Sequence, residues 1–430
     1  MMSIAELPRY PAYKSSGVEW LGQIPERWGL SRLKLLVSIK TGEKDTVHRV
    51  DDGEYPFFIR SPKVQRIDTY SFNGEAILTA GDGDIGKIFH YVNGRFDYHQ
   101  RVYKFSDFKG VEGKYLYYYL HYNLAEEVIK LSAKTTVDSL RLPYLQNFVV
   151  AIPSPKEQEM IYKFLDKKIT QIDEAIAIKG QQITLLKERK QIIIQKAVTQ
   201  GLDPTVPMKD SGVDWIGEIP EHWEVVKFKN LFSQSRLPVR ADDGVVTSYR
   251  DGQVTLRSNR RMDGYTEAII EGGYQGIRKG QLVLNSMDAF EGAIGVSESD
   301  GKCTPEYVIC DPNRKGVSQY YFAYLLREMA LAKYIQVICN AVRQRAVRVR
   351  YNNLASRFMV LPPENEQLKI VRFIESEKIN IDNGVEILQS QIEKLKEYKT
   401  TLINSAVTGK LKITPEMVGV REVAPEAVEG

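Results

Sequence analysis

The chain has little of what most enzymes and membrane proteins display. Its 430 residues include three cysteines, Cys303, Cys310 and Cys339, none in CxxC spacing. That excludes a disulfide framework and a zinc knuckle, and it fits a reducing compartment. The five histidines, His48, His90, His99, His121 and His222, have no metal-ligand spacing. No apolar run approaches membrane-spanning length, and the N-terminal stretch MMSIAELPRYPAYKSS has no apolar signal region. The expectation is a soluble cytoplasmic protein. No Gly-rich methyl-donor loop, no Asn/Asp-Pro-Pro-aromatic motif and no nuclease carboxylate–lysine set is found. Gly81–Lys87 satisfies GxxxxGK, but Ile88 stands where a magnesium-binding hydroxyl is needed. Asp82 and Asp84 would repel phosphate, and the following IFHYV reads as strand.

What is present is ordinary in amount and unusual in arrangement. Apolar content is 43%, charged content 27% and net charge +4, from 59 Lys+Arg against 55 Asp+Glu. Such a length exceeds one core and implies two or three domains. Only clustering of the basic residues would point to nucleic acid.

One stretch organises the rest. Ser154–Gly201 reads as a single long helix, with Ser154 as N-cap, Pro155 at the first helical position and Glu157 completing a capping box. Gly201 offers the stop. A seam of alternating three- and four-residue steps runs along it: Ile169, Ile172, Ile176, Lys179, Ile183, Leu186, Lys190, Ile193, Ala197. Adding 209 gives a second seam: Lys378, Ile381, Val385, Leu388, Ile392, Leu395, Lys399, Leu402, Ala406. The flanks repeat as well. IPSPKEQ answers LPPENEQ, and KAVTQGL answers SAVTGKL.

The repeat covers most of the chain. KSSGVEWLGQIPERW (Lys14–Trp28) returns as KDSGVDWIGEIPEHW (Lys209–Trp223), identical at ten of fifteen positions and holding all four tryptophans. This segment reads as a latch docking an extended arm onto a domain, its tryptophans used for packing. A β-rich region follows in each copy. A helix then spans Gly113–Leu131, answered by Ser318–Ile338 at an offset of 205. Its tyrosine face could stack on bases, but aromatics at helical spacing usually bury against a sheet. The order in both copies is latch, mixed α/β domain, long helix.

The expected fold is therefore α+β: two tandem mixed α/β domains separated by two long helices that pack as an antiparallel coiled coil, with an internal pseudo-twofold repeat. The expected segments are 1–153 (first domain with latch), 154–201 (first helix), 202–361 (second domain with latch), 362–412 (second helix) and a disordered tail, 413–430.

Basic clusters supply the binding candidates. Arg257, Arg260, Arg261, Arg343, Arg345, Arg348 and Arg350 crowd two short stretches of the second domain. Guanidinium groups suit bidentate contact with phosphate or guanine, and Asn259 and Gln344 could read adenine. In the first domain the candidates are Arg60, Ser61, Lys63, Gln65, Arg66, Lys87, Tyr98, His99, Gln100, Arg101, Lys134 and Thr135.

Taken in order, these motifs resemble the specificity (S) subunit of type I restriction–modification systems over nearly the whole chain. The carriers are the two latches, YPFFIRSPKVQRIDTYSFNGEAILTAGDGDIGK, GQLVLNSMDAFEGAIGVS, the two Pro-Glu-Gln helix entries and the helix ends KAVTQGLDP and SAVTGKLK. The resemblance implies two target recognition domains, each reading half of a bipartite asymmetric DNA site. It implies helices that set the spacing and bind two methylation (M) subunits, with restriction (R) subunits joining. Methyl donor, Mg and ATP then belong to those partners, and this chain carries no cofactor and no catalysis. The competing readings are a coiled-coil scaffold without DNA specificity and a cryptic DNA-modifying enzyme.

Overall fold

The computed structural model describes residues 4–83, 86–132, 140–260, 273–339 and 348–419. The fold is mixed α/β, with longer helices α1 (Gly113–Ser132), α2 (Pro155–Gln200), α3 (Gln319–Leu331) and α4 (Glu364–Val407). None of the described helices is long and apolar enough to cross a membrane. Contacts divide the chain into two units, Met1–Gly180 with Gln389–Gly430, and Gln181–Leu388. Each long helix thus gives one half to each unit.

The helix starts follow from their caps. Glu157 accepts from the Ser154 backbone at 3.1 Å and its hydroxyl at 2.7 Å, while Ser154 Oγ accepts from Glu157 N at 3.4 Å. The next residue does more than the cap. Gln158, 1% exposed, accepts from Glu112 N at 2.7 Å and donates to Gly110 O and Pro153 O. Gln367, 0% exposed, repeats this in the second unit: it accepts from Ser318 N at 2.8 Å and donates to Gly316 O and Pro362 O. Each glutamine ties the start of a long helix to the loop before α1 or α3.

The helix ends are built alike. Thr199 and Thr408 each back-bond a carbonyl four residues earlier, and Gly201 and Gly409 leave the helix at φ +79° and +75°. A side chain would be strained there, and it would also collide: a Cβ on Gly409 would lie 2.3 Å from Pro25 Cδ. On Gly201 it would lie 3.2 Å from Trp223 Cζ2. Trp28 and Trp223 are buried against these ends. Tyr115 of α1 donates to Val407 O at 3.0 Å, and Tyr321 of α3 donates to Val198 O at 2.7 Å. Each unit therefore closes on the end of the other copy's helix. The tyrosine face of α1 is core, as helical spacing suggested: Tyr115 and Tyr119 are fully buried.

No seam position on either helix is exposed. Ile172, Ile183, Ile381, Val385, Leu402 and Ala406 are buried, while Ile169, Ile176, Leu186, Ile193, Leu388, Ile392 and Leu395 are half-buried. In the first unit Lys399 binds Asp173 at 2.7 Å and Lys179 donates to Gln391 at 2.6 Å, so the two helices run in opposite directions. In the second unit Lys190 binds Asp382 at 2.7 Å. Lys378 departs from the row and reaches Tyr324 Oη at 3.0 Å.

Between latch and long helix, the first unit holds a six-stranded sheet. Its spatial order is Ser38–Thr41, Val102–Ser106, Phe72–Ala80, Phe89–Tyr98, Tyr55–Phe58, Gln65–Ile67. All neighbours are antiparallel except Tyr55–Phe58 beside Phe89–Tyr98. The second unit has a four-stranded sheet, Phe232–Gln234, Tyr307–Pro312, Leu282–Asn285, Ile294–Val296, and separate two-stranded pieces.

Two expectations change. The helix expected over 318–338 is broken: α3 stops at Leu331, Lys333 turns left-handed at φ 61°, and a short helix resumes at Tyr334–Ile338. The disorder expected over 413–430 does not hold for its first residues. Ile413 is buried in the first core and Pro415–Val418 is helical, while 420–430 lie outside the described residues.

Candidate nucleic-acid interface

Five segments of the first unit meet beside its sheet. Gln100 N donates to Lys44 O at 2.8 Å, and Gln100 Nε2 to Asp45 at 2.8 Å. His99 N donates to Phe58 O, Gly81 N to Arg101 O and Leu140 N to Gly81 O. The approach is close enough that a Cβ on Gly42 would lie 2.0 Å from Tyr98 O. Within the cluster Asp82 holds two arginines, Arg60 Nη1 at 2.8 Å and Arg101 Nη1 at 2.9 Å. Desolvation favours the neutral Asp82 carboxyl, but the bonds and charges of Arg60 and Arg101 outweigh it and hold the group below its ordinary value. The GxxxxGK stretch thus puts its first acid on two guanidinium groups. Lys87 leads to strand Phe89–Tyr98, not to a helix N-terminus. Asp84 lies outside the described residues.

The binding residues expected in the first unit divide into four groups. Arg60, Lys63, Lys87, Gln100 and Arg101 lie on these loops. Tyr98 and His99 do not serve the surface: they are 5% and 2% exposed. Tyr98 packs with its ring tilted against Phe96 in the cluster with Phe58, and burial pushes the His99 ring below its ordinary value, partly offset by Asp45. Arg66 is spent locally, donating to Gly53 O and Glu54 O, and Gln65 sits in a strand opposite Phe57. Ser61 caps its own turn through Lys63 N. Lys134 and Thr135 lie outside the described residues.

In the second unit Arg260 lies 4.0 Å over the Tyr249 ring and binds Asp251 at 2.8 Å. Asn259 is turned to Thr255, and Arg257 reaches Thr247 Oγ1 at 3.4 Å. Arg348 stands 3.8 Å from Glu306, and Arg350 begins the helix Tyr351–Ala355. Arg261, Arg343, Gln344 and Arg345 lie outside the described residues.

Sequence reasoning missed a second arginine–acid cluster. Arg250 follows strand Val246–Ser248 by two residues, as Arg60 follows Tyr55–Phe58. It binds Asp288 at 3.0 Å and also Glu291, both in the turn after Leu282–Asn285. The signal was FFIR against TSYR, but its offset of 190 falls out of line with the 195–209 of the other repeats. No group of three or more metal-ligating side chains occurs among the described residues.

The architecture defines a class: a mixed α/β protein with a duplicated helical frame and a charged loop cluster in each unit. Comparisons name the family. Residues 25–188 match the type I restriction modification DNA specificity domain. The EcoDI specificity subunit of the Escherichia coli type I restriction enzyme is 23% identical, covering 91% of this chain and 90% of that one. The MjaVIII specificity subunit of Methanocaldococcus jannaschii is 24% identical, covering 91% and 94%. In fold the chain is similar to one from a study of assembly and conformational transition of the type I R-M system, at TM-score 0.65 and 12% identity, over 90% of this chain and 99% of that one. It is also similar to the HsdS subunit of Thermoanaerobacter tengcongensis, at TM-score 0.53 and 13% identity, over 92% and 100%. Residues 25–188 thus match a type I restriction modification DNA specificity domain, and over nearly its whole length the chain is similar to type I restriction enzyme specificity subunits.

Proposed function

We propose that the chain is the sequence-specific DNA-binding subunit of a type I restriction–modification complex and is not itself catalytic. Residues 1–153 and 202–361 are the two recognition domains, each reading one half of a bipartite, asymmetric site. The helices over 154–201 and 362–412 form an antiparallel coiled coil that fixes the spacing of the half-sites. Two M subunits dock on the duplicated frame, R subunits join the complex, and methyl donor, Mg and ATP are theirs. The assembly works in the cytoplasm.

The carrying observation is the full-length similarity to specificity subunits, over 91% of this chain and 90% or more of two of them. The buried seam and its antiparallel Lys–Asp contacts support the ruler. Docking on the helices is supported by Ile178, Leu185 and Ile192, which repeat every seven residues along α2 and are 50–62% exposed. Apolar side chains at that spacing suit a partner helix.

The test is to remove one heptad from each long helix and map methylated sites with the partner subunits present. The spacer shortens, since DNA rises ~3.4 Å per base pair, and the half-site sequences stay. Altered half-sites with an unchanged spacer would reject the ruler.

A further inference from the structure

We propose that Arg60 and Arg101, held on the shared carboxylate of Asp82, read guanine in the half-site of the first recognition domain. This rests on the DNA-recognition reading above and adds residues and a base to it.

Both arginines are exposed, at 41% and 60% of their side chains, and Asp82 between them is 22% exposed. Each spends an Nη1 donor on Asp82. A guanidinium has five N–H donors, so most of each fork remains for a second acceptor. A phosphate approaching either arginine also meets the Asp82 charge, which cancels part of its attraction. The O6 and N7 of guanine are neutral acceptors and do not incur that repulsion. The carboxylate also fixes both forks in direction, as a bidentate contact requires. Asp82 is thus a positioning residue. It orients the forks and turns them from phosphate towards base.

The loops divide the remaining work. Lys63 and Lys87, exposed on the same turns, are compact charges suited to phosphate. The backbone supports the pair from below, since Gly81 N donates to Arg101 O at 2.8 Å and brings the Asp82 turn to the Arg101 turn.

The second unit is the built-in contrast. There one arginine, Arg250, lies between two acids, with Nη2 on Asp288 and Nη1 on Glu291. The group of three carries net negative charge, whereas Arg60, Asp82 and Arg101 carry net positive charge. Both ends of the Arg250 fork are used, so Arg250 is not expected to read guanine. The two arginine–acid triads thus carry opposite net charge.

The experiment uses the full chain assembled with its M subunits. Methylated sites are mapped, and binding is measured on the mapped duplex, on duplexes with 7-deazaguanine at single positions, and on random duplex across a salt series. Arg60→Lys and Arg101→Lys are expected to lose ~10-fold or more of the discrimination at guanine positions in one half-site. The other half-site and random-duplex binding should stay as they are. 7-Deazaguanine at those positions should weaken the wild type and no longer weaken the matching variant. Asp82→Asn should relax the same half-site and strengthen random-duplex binding, with a steeper salt dependence, because the repelling charge is gone. Arg250→Lys should leave that half-site unchanged. Uniform weakening on every duplex with a shallower salt slope would overturn the proposal in favour of phosphate contact. Full retention of guanine discrimination in both lysine variants would overturn it too. A wild type with no bipartite site at all would instead reject the DNA-recognition reading. Circular dichroism melts of the variants confirm that the exposed substitutions leave the fold intact.

Discussion

The two units share a frame and differ in what they hang on it. In both, a buried glutamine ties a long helix to the loop before the packing helix. In both, a buried tyrosine and a tryptophan seal the end of the other long helix. The recognition regions have diverged: a continuous six-stranded sheet in the first, a four-stranded sheet with detached pairs in the second. Their arginine clusters even reverse sign. The frame contacts involve backbone atoms and buried donors that tolerate little change. The loop contacts are exposed ion pairs, worth ~0–1 kcal/mol each, so they can change sign without endangering the fold.

The largest effect is expected at the glutamines. Gln158→Ala and Gln367→Ala each remove three hydrogen bonds and leave buried backbone groups unpaired, so each should cost about 2–4 kcal/mol. Hydrogen exchange should show the loss in residues 110–158 for the first variant and 316–367 for the second. Unequal or delocalised losses would mean that the frames are not equivalent.

A smaller effect should distinguish the units by pH. Glu328 on α3 is buried, and both its oxygens accept from Gln191 Nε2, at 2.6 and 2.8 Å. Burial raises its carboxyl from 4.5 to about 7, against the lowering influence of Gln191 and Arg327. Its folded pKa lies above its unfolded one, so its contribution is present below pH 4.5 and lost as pH rises through 7. Glu328→Gln should flatten that decline in the second unit by roughly 2–3 kcal/mol across the window. When the helices are aligned on Tyr115 and Tyr321, which close equivalent helix ends, Tyr122 stands opposite Glu328, with no carboxyl, so that unit should show no such difference. Denaturant melts of wild type and variant between pH 4 and 8 check this.

The smallest effect concerns the seam lysines. Lys190→Met and Lys399→Met remove half-exposed pairs with Asp382 and Asp173, and each should change stability by only ~0.2–1 kcal/mol, less at high salt. A larger loss in one than the other would show that one pair fixes the register.

Much of the frame was legible because it is repetitive. The seam, the capping box at Ser154 and the glycine exits each have a local physical signature, and duplication at an offset of 195–209 made them unmistakable. The glutamines were visible in the Pro-Glu-Gln entries, but their three bonds reach residues some fifty positions away, and no local pattern encodes that. The candidate surface was read less well. Tyr98 and His99 looked like surface groups by type, and burial is a property of the whole sheet. Arg250 was passed over because its strand is displaced in the alignment of the two copies.

By itself the sequence determined the periodic features and the caps: two long helices, the second ending at Val407 rather than at the expected 412. These follow from side-chain spacing and backbone chemistry within a few turns. Only the tertiary structure decided which copy's helix end completes which unit, and which arginines share an acid. Those are contacts between residues up to some 290 positions apart, between Tyr115 and Val407 for example. They are set by how the cores close rather than by any run of neighbours.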